Sequence, residues 1–351
     1  MTLSTKTLLL IIAAIAIILF LLIMYIAYKR YEQKKLFAAR EAYIKEHQTF
    51  WYRYLIEGIP LDRAAIPKEK GEFMAVEHIL LSYIDNVSNV AIHDKVTDFV
   101  KRYMFNYYRR MLQERKWSHR MNALAHIGDF SIDTLLPHCV ELYHKKSTSA
   151  EERYTLMSLF ARFAPETFEQ ELFKKRSDLT FSEFEYRRIY VAMPQERLLA
   201  IVERLDDLPT DAARYALIDT LGAMQQFDYV QVLEQQLDAQ DPELRIRALK
   251  SLHQLNWIED LSLYAPFLQS ALWEERLMLA KILQHVPLEY SESMLLTLIE
   301  DTNWWVRKQA AETIVVHRRG EDVLRKTIAT TTDRFAKEVA QQVLLKAGDV
   351  R

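Results

Sequence analysis

The chain has 351 residues, half of them hydrophobic, and its 46 Lys+Arg nearly balance 48 Asp+Glu for a net charge of −2. Six glycines in the whole chain leave no phosphate-cradling loop and no dinucleotide fingerprint. The single cysteine, Cys139, excludes an internal disulfide and suits a reducing compartment.

The first predicted element runs from Leu8 to Tyr28, 21 residues without a charge, a proline or a glycine. At about 1.5 Å per residue a helix of this length crosses about 30 Å, the hydrocarbon thickness of a bilayer. A signal peptide would have a shorter apolar region and a small-residue cleavage site, and none follows Tyr28. Residues 1–28 are therefore expected to form a short external tail and a transmembrane helix. Lys6 stands alone before the span, whereas Lys29, Arg30, Lys34, Lys35 and Arg40 follow it. The positive flank stays inside, which predicts a single-pass protein of the cell membrane with a cytoplasmic carboxy-terminal domain. Those basic residues serve first as a topology signal, and contact with anionic lipid is a second reading.

Residues 29–57 continue the helical pattern: Phe37, Ile44 and Trp51 recur at seven, with Leu36, Tyr43 and Phe50 beside them. Residues 58–72, between Gly58 and Gly71 and containing Pro60 and Pro67, read as a connector. Residues 73–119 form a basic helical region. Within it Val96, Val100, Tyr103, Tyr107 and Met111 make one apolar stripe, while Arg102, Arg109 and Lys116 share another face, as in a packed amphipathic helix. A membrane or partner contact is the alternative use of this basic, aromatic stretch.

Through Arg120 there are 19 Lys+Arg against 12 Asp+Glu, a surplus of seven, and the remainder carries a deficit of nine. A basic end beside the predicted span suits an anionic membrane surface. An acidic remainder argues against nucleic acid as partner, because phosphate binding needs a basic track.

From 120 to 351 a repeat emerges. Arg214, Arg245, Arg276 and Arg307 are 31 residues apart, and each is followed at three and seven by apolar residues: Leu217 and Leu221, Ala248 and Leu252, Leu279 and Leu283, Ala310 and Ile314. Such a unit buries its apolar face only by stacking on its neighbours. A second helix per unit is read from Leu233 and Leu237, Tyr264 and Leu268, and Leu295 and Ile299. Asp241 is expected to cap a helix opened by Pro242, and Gly128, Gly222 and Gly320 to end first helices in the left-handed conformation. Looser copies start at Arg120, Arg153 and Arg187, with turns at Lys145–Ala150 and Arg176–Asp178 and a capping helix at Phe335–Leu345.

Asp241-Pro242-Glu243-Leu244-Arg245 with Ala248 and Leu252, and Asp301-Thr302-Asn303-Trp304-Trp305-Val306-Arg307 with Ala310 and Ile314, resemble HEAT repeats of the short bacterial, PBS-lyase-type kind. Asp301 stands two residues further from its arginine than Asp241 does. The resemblance implies an all-α fold, a curved α-solenoid with an elongated binding surface, and by itself no activity.

Chemistry-bearing clusters are sparse. His138, Cys139 and His144 come closest to a metal set, but six residues on a helix separate the histidines, and a structural role is expected. His253, His285 and His317 recur near first-helix ends, where imidazole can cap carbonyls. No catalytic residue, cofactor or metal is expected. Trp273 and Trp304, also 31 apart and followed by Trp305, should open first helices along one edge, either as staples or as interface anchors.

The expected function is a membrane-tethered scaffold that binds a protein partner through its repeats. An integral membrane enzyme, for example of envelope polysaccharide synthesis, would be such a partner, although no residue selects it. The alternative is an enzyme, since some proteins of the HEAT-like class act as lyases on bilins or as glycosylases on DNA bases.

Overall fold

The computed structural model describes residues 5–174 and 180–349, and every regular element among them is helical. The expected turn at Arg176–Asp178 lies outside the described residues. The chain divides into two compact units, Met1–Leu156 and Met157–Arg351, and the division falls inside one helix.

The first unit is built on α1 (Thr5–Tyr52), a single unbroken helix of 48 residues. Along Leu9–Tyr28 every side chain is exposed. Further on, the same helix seats Tyr43 and Trp51 in a core, with the Tyr43 hydroxyl donating to the Ala65 carbonyl. The buried stripe thus runs through Tyr43 rather than Phe37, which remains 58% exposed. A π-turn at Arg53–Glu57 follows α1, and Gly58 ends it at φ 75°, a conformation that disfavours any Cβ.

Against α1 packs α2 (Lys70–Asn86), and α3 (Val90–Phe99) packs on α2; α4 (Phe105–Gln113) packs on α5 (Trp117–Asp129) and α6 (Leu136–Tyr143), and the unit ends in the start of α7 (Ala150–Phe163). Gly71 lets α2 approach α1, because a Cβ there would lie 2.8 Å from that of Ala39. Between α3 and α4 sits a second π-turn, Val100–Met104. Its extra residue shifts the helix phase, so Val96 and Val100 are followed in the core by Met104, Tyr108 and Leu112. The stripe expected through Tyr103, Tyr107 and Met111 is corrected by one position, a change no 3.6-residue periodicity anticipates.

The second unit continues from α7 through α8 (Pro165–Leu172), α9 (Glu183–Val191), α10 (Gln195–Val202), α11 (Asp211–Met224) and α12 (Val230–Gln235). It ends with α13 (Pro242–Leu255), α14 (Trp273–Ile282), α15 (Leu288–Ile299), α16 (Trp304–Val316), α17 (Gly320–Thr330) and α18 (Arg334–Asp349). Helices α9, α11, α13, α14, α16 and α18 pack each on the next. Leu217, Leu221, Ala248, Leu252, Leu279, Leu283, Ala310 and Ile314 all lie in these seams, none more than 1% exposed.

Four local expectations are corrected. Gly128 and Gly222 lie inside α5 and α11, and Gly320 opens α17; the left-handed residues that end α11 and α13 are Gln225 and Asn256. Gly222 serves packing instead, since a Cβ there would meet the Ser251 Cβ at 2.5 Å. The helix expected over Tyr264 and Leu268 is two short 3₁₀ segments, Leu261–Leu263 and Ala265–Gln269. At three residues per turn, Phe267 rather than Leu268 joins Tyr264 in the core.

Candidate functional site

The arginines of the repeat form a ladder whose first purpose is structural. Arg245 donates from one terminal nitrogen to the carbonyls of Ala239 and Gln240, at 2.8 and 3.1 Å, and from Nε to Glu275 at 2.7 Å. Arg276 donates to Ser270 O at 2.6 Å and, bidentately, to Asp301 at 2.5 and 2.9 Å. Arg120 repeats the pattern with Glu114 O, Arg115 O and Glu152. Each guanidinium thus satisfies the carbonyls of the turn before its own helix and an acid of the next unit, which fixes both the turn and the stacking register. Asp301 therefore pairs with the preceding unit, and Asn303 caps α16 in its place, which accounts for the altered spacing of Asp301 from Arg307.

Two rungs depart from this. Arg214 pairs with Asp211 in its own first turn, and Tyr215 makes the forward bond, donating to Asp241 at 2.8 Å. Arg307, only 8% exposed, donates to Asp301 O and Thr302 O at 2.7 and 3.0 Å but faces the Phe335 ring at 5.1 Å instead of an acid.

Sequence reasoning missed a second network. Arg247 reaches across three helices, to Glu243 at 2.6 Å on its own, to Asp219 at 2.7 Å on α11 and to Glu183 at 2.9 Å on α9, and lies over the Tyr215 ring. Arg247 stands two places after the periodic Arg245, and only the stacking distance reveals its partners.

The tryptophans do open helices: Trp273 is the first residue of α14 and Trp304 of α16. Their environments differ. Trp273 is half-buried, whereas Trp304 and Trp305 are 43% and 55% exposed. The ring beside Trp304 is Trp305, edge-on at 4.7 Å, and Lys308 lies over both at 5.3 and 5.8 Å. Two exposed indoles and a cation make a small amphipathic patch suited to a partner with apolar and carboxylate groups.

Of the basic residues after the apolar stretch, Lys29 pairs with Glu32 at 2.6 Å, and Arg30, Lys34 and Lys35 are exposed. The bond to Glu32, then its charge, raises the Lys29 pKa. His253 and His285 do not cap carbonyls; His285 Nε2 lies 3.1 Å from His253 Nδ1, joining consecutive units. Burial lowers both pKa values, and the neighbouring His285 adds to the effect on His253. Cys139 is buried, and burial pushes its thiol up to about 12. Among the described residues no three His, Cys, Asp or Glu side chains converge as a metal set.

These features define a helical-repeat protein in which ion pairs lock successive units and one exposed aromatic pair stands at a helix start. No protein-family model matches the chain, and no curated protein does. Among solved structures, an engineered protein of the Northeast Structural Genomics Consortium is 16% identical over 88% of this chain and 99% of its own, with a TM-score of 0.34. A chain from the structure of the Pds5-Scc1 complex is 10% identical over 89% of this chain, which spans 63% of that chain, at a TM-score of 0.36. A second engineered protein of the consortium is 17% identical over 78% of this chain and 96% of its own, at 0.24.

Proposed function

We propose that the protein is a membrane-tethered adaptor, an α-solenoid of HEAT-like units held at the cytoplasmic face by α1 and binding a protein partner through its repeats. The observation that carries the reading is the divided character of α1. Its first stretch, Leu9–Tyr28, is apolar and wholly exposed, whereas its second stretch is anchored by Tyr43 at 6% and Trp51 at 0% exposure. Twenty exposed apolar residues in water would be a strong aggregation liability, and a bilayer removes that cost. A core helix of a soluble protein would bury the same surface. α1 enters the core without a break, so the apolar stretch and the folded unit share one continuous helix.

The test is biochemical. Membranes carrying the chain are washed with alkaline carbonate, and a reporter that works only in the cytoplasm is fused after Arg351. Retention in the pellet with an active reporter is expected. Release by carbonate removes the tether, and activity of an exported reporter instead reverses the orientation. For the adaptor reading, in-cell crosslinking should recover a reproducible partner with the wild type and lose it when Trp304 and Trp305 are replaced by alanine.

A further inference from the structure

A cavity of about 660 Å³ opens in the first unit, within the range of small-ligand sites. It gathers residues far apart in the chain: Tyr25 and Lys29 from the end of the apolar stretch, Lys68 and Lys70 at the start of α2, Arg110 from α4 and Lys116 just before α5. Two acids of its wall are already paired, Glu32 with Lys29 and Glu114 with His119. Lys68, Lys70, Arg110 and Lys116 have no carboxylate within ion-pair distance among the described residues, and Arg110 Nε donates to the Asn106 carbonyl at 3.1 Å. Four unpaired cations around one cavity select an anion.

A second observation narrows the ligand. Glu77 also lines the cavity, is only 8% exposed, and has a carboxyl oxygen with no hydrogen-bond partner. Its nearest cation is His126 Nε2, at 4.0 Å. A buried polar atom left open in this way is costly unless something binds it. Burial raises the Glu77 pKa, and the His126 charge and the Tyr108 hydroxyl beside the carboxyl pull it partly back. Its open oxygen can accept a hydrogen bond from a ligand hydroxyl. Phosphate alone would engage the cations and leave Glu77 open.

We propose that this cavity binds the headgroup of an anionic phospholipid whose phosphodiester is held by Lys68, Lys70, Arg110 and Lys116 and whose headgroup hydroxyl is held by Glu77. The lipid source follows from Tyr25 and Lys29: they put the cavity at the end of the segment read above as the membrane span, and the proposal rests on that reading. A choline headgroup has no hydroxyl and would bring a fifth positive charge among the four cations.

The experiment is native mass spectrometry of the full chain in mild detergent with equimolar phosphatidylglycerol and phosphatidylcholine. A preference of about tenfold or more for phosphatidylglycerol is expected, from several cations each contributing near an anionic group. Lys68→Ala with Lys70→Ala and Arg110→Ala should bring the ratio toward one, with an unchanged circular-dichroism melt. Lys34→Ala with Lys35→Ala, which removes two positive charges outside the cavity, should leave it in place. Glu77→Leu should abolish discrimination between phosphatidylglycerol and phosphatidic acid, which lacks the hydroxyl, while preference over phosphatidylcholine remains. An equal ratio for the wild type, or a loss shared by the Lys34 and Lys35 variant, overturns the site. If glycerol 3-phosphate displaces the lipid at equal concentration, the ligand is a soluble phosphate ester and the lipid assignment fails. A chain that resists carbonate yet shows no headgroup preference defeats this proposal alone, whereas release by carbonate defeats the tether beneath it.

Discussion

Arg276 and Asp301 form a bidentate pair at 2.5 and 2.9 Å between consecutive units, with side chains only 14% and 7% exposed. The guanidinium also holds the Ser270 carbonyl, so a single side chain closes a turn and sets the register of the following unit. Arg276→Ala would leave a carboxylate buried without its partner, and a loss of about 3–5 kcal/mol is expected. Arg334→Ala, which breaks an ion pair whose side chains are 84% and 47% exposed, should leave the melt unchanged. Denaturant titrations of the two variants check the contrast, and equal destabilisation would show that burial does not decide the strength of these pairs.

Gly222 marks a close helix approach in the repeats. Its missing Cβ would lie 2.5 Å from the Cβ and 2.6 Å from the Cα of Ser251. Gly222→Ala therefore forces α11 and α13 apart, at about 1–3 kcal/mol. Ser251→Gly in the same chain removes two of the three clashing atoms, Cβ and Oγ, and should recover part of the loss. A double-mutant cycle measures the coupling, which is zero if the helices separate freely.

The paired imidazoles of His253 and His285 give unit-to-unit packing a pH dependence. Burial, reinforced on His253 by its neighbour, holds both pKa values below the ordinary 6.5. The unfolded chain then binds protons more readily than the folded one just below pH 6.5. Their stabilisation is full above that value and falls as pH drops through it toward the lowered folded values. A melt at pH 5.5 should lie further below the pH 7.5 melt for the wild type than for His285→Gln. Identical shifts in both proteins would remove the pair as the source.

Burial separates the three tryptophans of the predicted edge. Trp273, half-buried at the start of α14, is expected to act as a staple, so Trp273→Ala should lower the melting temperature. Trp304 and Trp305 are exposed and should contribute little to folding. If they anchor a partner, replacing both by alanine weakens capture by about 2 kcal/mol or more with the melt nearly constant. A lowered melt with capture intact assigns the adjacent pair to folding instead.

The repeat itself was legible in the sequence because it depends on local periodicity. The eight positions three and seven residues after Arg214, Arg245, Arg276 and Arg307 are all buried, and Asp241 caps the helix that Pro242 opens. Apolar residues at a helical interval must face the same way wherever the chain goes, and a proline at a helix start needs no distant partner. The apolar run after Leu8 was legible for the same reason.

What lay beyond the sequence depended on distance between units or on breaks in the period. The π-turn at Val100–Met104 moved the core stripe by one residue, and the 3₁₀ segments around Tyr264 replaced Leu268 by Phe267. Gly222 looked like a helix end because its close neighbour, Ser251, is 29 residues away in the chain. The same holds for Arg247, whose partners Asp219 and Glu183 come from two other helices, and for the cavity that joins Lys29, Lys68, Arg110 and Glu77. Composition and spacing determined the helices, their buried faces and the apolar stretch of α1. Which charges meet, which indoles stay exposed and where unpaired cations surround a buried carboxyl were decided by tertiary packing, because side-chain ion pairs and close approaches act over a few ångströms in space and leave no period in the chain.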